Sequence, residues 1–333
     1  MVIINNFRAF PLEWKAANGE RGTSLHATTT AEFLRLAHEN PDAVVLINCN
    51  PRLTLELGAA KLFGRLGKAP IVSVDLVLRA PATTLQKALH LLKKVLLRQV
   101  DLCIHYFQDY RRFADVFGIP LARHKFVPFK VNLGTRYADL KEQPEGEYVL
   151  CFGRSLRDYD TFLEAMERLP YPGAIARPDL ARLRAHHARF TRPLDMLPAN
   201  VRVLEDEGSE LAQIQILGNA KIVVLPILKA SLVASGISTC LNAMQLGKCV
   251  IGSEGPGMSD VFGEEIIAVP PENSGALAAA IRRVWEDDAL RLKTGHAGHL
   301  YALKAGGEPD LYQRIIDCTV LWYRREGERA HLT

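Results

Sequence analysis

The segment Ala234–Gly257, ASGISTCLNAMQLGKCVIGSEGPG, places small hydroxyl residues and a glycine in front of an apolar-periodic stretch. We predict a helix that begins near Gly236, directly after the loop of a buried strand. The first amides of a helix lack intrahelical partners, and the helix dipole adds positive charge there, so this start can bind an anion. The alternative is an ordinary cap, in which hydroxyl side chains satisfy those amides. The hydroxyl donors are Ser235, Ser238 and Thr239.

A second group of residues suited to phosphate lies in FGRSLRDYD, Phe152–Asp160. This segment follows the apolar run YVLCF, so Arg154 and Arg157 should emerge at the carboxyl end of a strand. Two guanidinium groups there would suit a diphosphate, because arginine binds phosphate oxygens in a bidentate manner. The alternative is a surface arginine that pairs with Asp158 or Asp160.

A third candidate is the glycine-rich turn GSEGPGMSD, Gly252–Asp260, which could expose backbone amides, or could simply connect a strand to a helix. All three segments fall on predicted carboxyl-end loops of the second half of the chain, where ligands of parallel sheets bind. We therefore place Glu254 and Gly255 at the edge of the same site.

Two further candidates follow predicted strands in the first half of the chain. Asp75 ends a buried strand in VSVDLVLRAP, where a lone carboxylate is costly unless it is paired. It is our candidate acid/base or acceptor-orienting residue, and the alternative is a structural partner of Arg79 or of a loop amide. Lys130, in VPFKVN, could line a cleft between two domains or could be an ordinary exposed lysine.

Short β-branched runs alternate with helical patterns along nearly the whole chain, which predicts parallel sheets covered by helices. The polar segment 132–147 breaks this alternation and reads as a linker. We therefore predict an α/β protein of two Rossmann-like lobes that face each other across a cleft. The predicted domains are residues 1–140, residues 141–307, and a C-terminal helix over 308–333 that packs back on the first lobe.

Composition narrows the class of protein. The 333 residues are 48% hydrophobic and carry a formal net charge of +4, which is too weak a surplus to indicate nucleic-acid binding. We find no signal peptide and no apolar run long enough to span a bilayer, and we expect a cytoplasmic protein. No CxxC pair or convincing metal-ligand spacing occurs, so we expect reduced cysteines and no metal. The cysteines are Cys49, Cys103, Cys151, Cys240, Cys249 and Cys318.

The segment 84–99, TLQKALHLLKKVLLRQ, predicts a basic amphipathic helix. We favour packing of its leucine stripe against a sheet. The alternative is contact with an anionic membrane at the inner face, which would make the protein peripheral to it. The stripe consists of Leu85, Leu89, Leu92 and Leu96.

Taken together, YVLCFGRSLRDYDTFLEAMERL and SGISTCLNAMQLGKCVIGSEGPGMSDVF resemble the donor lobe of GT-B glycosyltransferases, family 4 (group 1) in particular. The resemblance covers roughly residues 44–287. It implies a metal-independent enzyme that takes a nucleotide-diphosphate-sugar as substrate, needs no cofactor and retains the anomeric configuration. The donor-binding residues it implies are Arg154, Arg157, Ser235, Gly236, Ile237, Ser238, Thr239 and Asn242.

The chain also departs from that family. Two glutamates found in many members are replaced by Ala234 and Asn242, and only NGERGTS, residues 18–24, could serve as the N-terminal glycine-rich loop. We expect sugar transfer to a saccharide or lipid-linked hydroxyl acceptor, in glycan, polysaccharide or glycolipid synthesis. The alternatives are a catalytically impaired GT-B partner subunit and a nucleotide-sugar-handling enzyme of another type.

Overall fold

The computed structural model describes residues 1–133 and 146–332, so most of the predicted linker lies outside the described residues. The chain forms two compact units, each with its own mainly parallel sheet. The first unit is Met1–Pro128 with Pro309–Thr333, and the second is Phe129–Glu308, which begins earlier in the chain than the predicted boundary at 140. The predicted α/β class with two Rossmann-like lobes is confirmed.

The sheet of the first unit has seven strands within the described residues, in the order β2-β3-β1-β4-β5-β6-β7. All neighbours run parallel except β2 and β3. Register is set from β1, whose Val2 lies opposite Thr23 on one side and Ala43 on the other. The strands are β1 (Val2–Asn5), β2 (Glu13–Lys15), β3 (Arg21–His26), β4 (Ala43–Asn48), β5 (Ile71–Val74), β6 (Leu102–His105) and β7 (His124–Phe126).

The β2–β3 pair shows what the candidate glycine-rich loop forms. The segment 18–24 contains the turn and first residues of an antiparallel hairpin. Gly19 adopts φ 88° in that turn, a value that glycine tolerates without strain. Gly22 lies against the Trp14 ring, where an added Cβ would come within 2.2 Å of a ring carbon. These glycines therefore serve the hairpin.

Four helices of the first unit follow its parallel strands: α1 (Thr30–Glu39), α2 (Pro51–Leu62), α3 (Thr84–Leu97) and α4 (Arg111–Phe117). Helix α1 begins with a capping box in which the Thr29 hydroxyl accepts from the Glu32 amide. Helix α3 begins with a second box, between Thr83 and Gln86. Both boxes satisfy amides that would otherwise lack partners.

The orientation of α3 contradicts the packing that we favoured. Its stripe does not pack inward, since Leu85, Leu89 and Leu92 are all more than half exposed. The residues that face the protein are instead His90 and Leu97. The sequence pattern predicts the helix correctly but assigns its buried face wrongly, because the helix is apolar on the side that the fold leaves open.

The second unit has six strands in the described residues, all parallel, in the order β10-β9-β8-β11-β12-β13. They are β8 (Tyr148–Cys151), β9 (Gly173–Ala176), β10 (Val201–Leu204), β11 (Ala220–Leu225), β12 (Cys249–Ser253) and β13 (Ile267–Val269). Nearly every residue of the two central strands, β8 and β11, is buried, as expected for a sheet covered on both faces. The carboxyl ends of these strands carry the loops described below.

The second unit contains six helices among its described residues: α5 (Tyr159–Met166), α6 (Leu180–Ala185), α7 (Glu210–Gly218), α8 (Ile237–Gln245), α9 (Ser274–Glu286) and α10 (Asp288–Ala305). Asn273 caps α9, since its side chain accepts from the Ala276 amide. Helix α9 buries Leu277, Ile281 and Val284 in the core beneath the sheet.

The last helix, α11 (Glu308–Leu332), joins the first unit. Its Tyr312 ring packs on Phe7 and Phe10, with centroids 5.4 and 5.2 Å away. Arg324 pairs with Glu20 on the hairpin. The described residues include no helix of the length and apolar character needed to cross a membrane. All six cysteines lie in the described part of the chain and are free, and Cys49 is exposed rather than buried in the core.

Candidate active site

Helix α8 begins as an uncapped helix end. Gly236 is its N-cap residue, with φ 88° and ψ −2°, and none of the described side chains caps the first turn with a hydrogen bond. The Ser235 hydroxyl contacts the Ser231 hydroxyl instead, at 3.1 Å. The alternative of an ordinary hydroxyl cap is therefore wrong, and the partial positive charge of this helix end is left for another partner.

Arg157 brings a full positive charge to the same place. Its side chain is 1% exposed, and its Nε donates to the Phe152 carbonyl oxygen at 2.8 Å. Its Nη1 atom is buried and has no hydrogen-bond partner among the residues that the structure describes. Desolvation lowers the pKa of Arg157, because burial disfavours the charged form of the side chain. A buried guanidinium without a counter-charge indicates a ligand that supplies one.

Two glycines make room for this guanidinium. A Cβ added to Gly236 would lie 2.6 Å from Nη1 of Arg157, and one added to Gly153 would lie 2.3 Å from Nη2. Both glycines also have positive φ, 88° and 107°. The side chain thus lies between the end of β8 and the start of α8, so the structure brings together two of the segments singled out in the sequence.

The neighbouring carboxylates do not pair with Arg157. Asp158 is fully buried and accepts two hydrogen bonds from Arg189, at 2.8 and 2.5 Å. Asp160 accepts from the amide and the hydroxyl of Thr191. The predicted alternative, in which these aspartates neutralise the arginine, is therefore wrong for Arg157.

A cavity opens beside Arg157 and the start of α8. Arg154 lines it, is exposed, and has no ion-pair partner among the described residues. The other arginines of the wall are paired, Arg177 with Glu205 and Arg182 with Asp179. The predicted residues on this wall are Arg154, Arg157, Gly236, Ser238, Thr239 and Asn242.

Asn242 has an internal partner as well as a place on the wall. Its Oδ1 accepts from the Asn132 amide at 3.0 Å, and the Asn132 side chain hydrogen-bonds the Ser238 hydroxyl. Lys130 in turn donates to Asn132. Lys130 therefore reaches the predicted donor-binding residues through Asn132, and all of them belong to the second unit.

Other predicted residues lie away from the cavity. Ser235 and Ile237 are buried and do not line it. Glu254 and Gly255 follow β12 and also lie outside its wall. Their loop packs on the chain before α8, because a Cβ at Gly257 would lie 2.4 Å from that of Ala234.

Several wall residues were not predicted. The Tyr159 hydroxyl donates to the Gly153 carbonyl oxygen at 2.7 Å and so fixes the loop that carries Arg154. Proximity to β8 is a signal that could have indicated Tyr159 and Ser155, whereas other unpredicted polar residues come from the segments after β9 and β10. These include Asp179, His186, Asp206, Glu207 and Gln213.

The carboxyl edge of the first sheet holds a second, different group. Asp75 follows β5 with φ 48°, and its amide donates to the Ile104 carbonyl oxygen. Desolvation raises the pKa of Asp75 to about 6. Cys49, after β4, also has positive φ, and desolvation with the nearby Asp75 charge raises the pKa of its thiol to about 11. Tyr106, after β6, interacts electrostatically with the same carboxylate.

One cluster of metal-ligating side chains occurs within the described residues: Cys103, His105 and His124, whose ligand atoms lie within 4.8 Å of one another. However, His105 Nε2 and His124 Nδ1 are 2.7 Å apart and hydrogen-bond each other. Two nitrogens on one zinc ion would be about 3.3 Å apart, given metal–nitrogen bonds of about 2.0 Å in a tetrahedron. The arrangement fits a buried histidine pair better than a metal centre.

Both units have the fold of GT-B glycosyltransferases. Residues 196–300 match the family model described as glycosyl transferases group 1. The matched segment includes α8, ends within α10 and begins after Arg154 and Arg157. No curated protein matches the chain at a significant level.

Solved structures of low sequence identity share the fold. Anabaena HepE, solved in complex with UDP, is 14% identical with a TM-score of 0.62, over 89% of this chain and 85% of that one. Sucrose-phosphate synthase from Thermosynechococcus elongatus is 16% identical with a TM-score of 0.62, over 98% and 89%. A UDP-forming trehalose-phosphate synthase from Burkholderia xenovorans is 11% identical with a TM-score of 0.58, over 97% and 98%.

Proposed function

We propose that this glycosyltransferase transfers a sugar from a nucleotide-diphosphate donor to a hydroxyl acceptor, with retention of the anomeric configuration and without a metal ion. The observation that carries the proposal is the buried Arg157, whose Nη1 lies beside the start of α8 and, within the described part of the chain, has no hydrogen-bond partner. A diphosphate would supply the missing counter-charge. HepE was solved in complex with UDP, and the trehalose-phosphate synthase is UDP-forming. A UDP-sugar is therefore the first donor to test.

The chemistry requires charge to be stabilised on the leaving group. As the bond from the anomeric carbon to the diphosphate oxygen breaks, negative charge develops on the departing nucleoside diphosphate. Arg154, Arg157 and the first amides of α8 would stabilise it. The acceptor hydroxyl forms the new bond from the same face, and its proton passes to a phosphate oxygen. The positive side chains and the helix end would take the place of a metal ion.

The first unit would bind the acceptor. Asp75 is our candidate for orienting an acceptor hydroxyl, because its carboxylate lies at a sheet edge beside Tyr106 and its pKa is raised to about 6. It would still be ionised at neutral pH. The acceptor would be a saccharide or a lipid-linked sugar, and an assay with both kinds of acceptor distinguishes polysaccharide from glycolipid synthesis.

A thermal-shift panel tests the donor. Nucleoside diphosphates and their sugars are each added at about 100 times the dissociation constant, which stabilises a binding protein by about 2.7 kcal/mol. We expect the melting temperature to rise by several degrees with one base and the shift to disappear in R154A/R157A. Arg168→Ala, an exposed arginine outside the cavity, is the matched control.

Two results would contradict the proposal. A shift that survives in R154A/R157A would place the phosphate site elsewhere. Binding of a nucleotide-sugar without release of nucleoside diphosphate, across soluble and lipid-linked acceptors, would favour the impaired partner subunit, in keeping with Ala234 and Asn242 at the positions of the family's glutamates.

A further inference from the structure

Helix α3 contacts the rest of the first unit through one narrow face. It packs against α2 and α4, with His90 and Leu97 as its buried residues. His90 Nε2 lies 2.7 Å from the Val116 carbonyl oxygen, and the Lys94 stem covers Gly118. These contacts hold one face of the helix and determine which residues point outward.

The outward face is apolar. Successive residues of a helix are about 100° apart, so the positions opposite His90 and Leu97 fall on one continuous face. An exposed helix face in a globular protein is normally polar. Here Leu85, Leu91 and Leu92 are 71%, 69% and 58% exposed. The exposed apolar residues of this face, which we call the α3 face, are Leu85, Ala88, Leu89, Leu91, Leu92 and Val95.

Basic residues border the α3 face on both sides. By the same helical geometry, Lys87 and Arg98 lie along one border and Lys93 along the other. None of the three has an ion-pair partner among the described residues. No acidic residue occurs between Asp75 and Asp101. The α3 face is thus an apolar surface between two positively charged borders.

We propose that the α3 face docks on an anionic lipid bilayer, with its leucines in the acyl boundary and its lysines at the headgroups. Helices with this arrangement of charge and apolar area lie in the plane of such a membrane. Charge complementarity favours a bilayer over a second copy of this chain, because pairing two α3 faces would bring their basic borders together. The proposal does not rest on the transferase function.

Vesicle flotation of the full-length protein tests the apolar part. Vesicles of phosphatidylcholine with 30–40% phosphatidylglycerol (roughly the surface charge of an anionic membrane) are compared with pure phosphatidylcholine. We expect binding to the anionic vesicles only, and a loss of about tenfold or more in L91Q/L92Q. The control L300Q/L303Q replaces two leucines of α10 that are 53% and 61% exposed.

The charged border gives a second test. We expect K87E/K93E to lose about tenfold or more in binding, and binding of the unchanged protein to weaken at high salt because the headgroup attraction is screened. Equal flotation of L91Q/L92Q and the unchanged protein would overturn the proposal, as would an equal loss in the α10 control. A third outcome would also overturn the proposal: neither the unchanged protein nor any variant binds vesicles, and light scattering shows a dimer of the unchanged protein that is lost in L91Q/L92Q. The α3 face would then be an interface between copies of this chain.

Discussion

The cavity wall of the second unit and the carboxyl edge of the first sheet use residues with positive φ differently. In the second unit, the positive-φ residues at which an added Cβ would meet the Arg157 guanidinium are Gly153 and Gly236. In the first unit, Cys49 and Asp75 adopt φ 46° and 48° although both have side chains. Such backbone costs about 1–3 kcal/mol per residue and persists where the surroundings fix it. One edge is arranged to approach an anion, and the other to hold particular side chains.

The charges follow the same division. The second edge presents a buried guanidinium and a helix start, both suited to phosphate. The first presents a carboxylate beside a phenol and a thiol, whose pKa values are all raised and which suit hydroxyl groups rather than anions. Two similar, mainly parallel sheets thus differ in chemistry because of the few residues that follow their strands.

The sharpest way to break this comparison is Arg157→Met. A buried charge without a partner costs stability, so its replacement by an apolar side chain should change the free energy of unfolding of the ligand-free protein by less than about 1 kcal/mol. Donor binding should fall at least about 100-fold, because charge-assisted bonds to phosphate are lost. Urea unfolding and calorimetric titration measure the two quantities. A large loss of stability with donor binding intact would mean that Arg157 is structural.

Asp75→Asn tests the other edge. If this carboxylate orients the acceptor, turnover should fall about 10- to 100-fold while donor binding stays unchanged. Since desolvation raises the pKa of Asp75 to about 6, the carboxylate is lost as the pH falls through that value. Activity of the unchanged enzyme should therefore decline below pH 6, and the Asn variant should lack that decline. A pH profile with the same acidic limb in both proteins would rule out Asp75.

Most of the fold could be predicted from the sequence, because strand and helix periodicities differ. The sequence could bring Arg154, Arg157 and Gly236 to one place, because loops at the carboxyl ends of neighbouring parallel strands meet at the same edge of a sheet. The partners of Asp158 could not be predicted, since Arg189 is 31 residues away and meets it only in the folded unit. The buried face of α3 was mistaken because amphipathic periodicity shows that a helix has an apolar side, without showing what covers it.

A smaller effect is expected from Gly236→Ala. Its φ of 88° disfavours a side chain, and the new Cβ would lie 2.6 Å from Nη1 of Arg157. We expect a loss of about 1–2 kcal/mol in stability and about tenfold in donor affinity, because the guanidinium must move. Gly247→Ala, at the end of α8 with φ 68° and no atoms within 4 Å of the added Cβ, is the matched control. It should lose stability alone, so equal affinity losses would refute the steric argument.

The smallest effect is in acid stability, where the first unit holds two opposing groups. Burial, with a contribution from His124, lowers the pKa of His105 from 6.5 to about 3. Since the unfolded chain binds this proton more readily than the folded protein does, the free energy of unfolding falls as the pH drops from 6.5 toward 3. The raised pKa of Asp75 has the opposite effect. Its buried carboxylate destabilises the folded protein, and protonation between pH 6 and 3.8 removes that cost, so the free energy of unfolding rises as the pH falls.

Between pH 5.5 and 4.5 the two contributions should nearly cancel, each changing by about 1.4 kcal/mol per pH unit. Asp75→Asn removes one of them, so its free energy of unfolding should fall with acid by about 1.4 kcal/mol per unit more than that of the unchanged protein. H105Q should show the reverse, a shallower loss than the parent. Urea unfolding at pH 4.5, 5.5 and 6.5 gives these slopes. Parallel slopes in all three proteins would show that neither buried group titrates as its surroundings require.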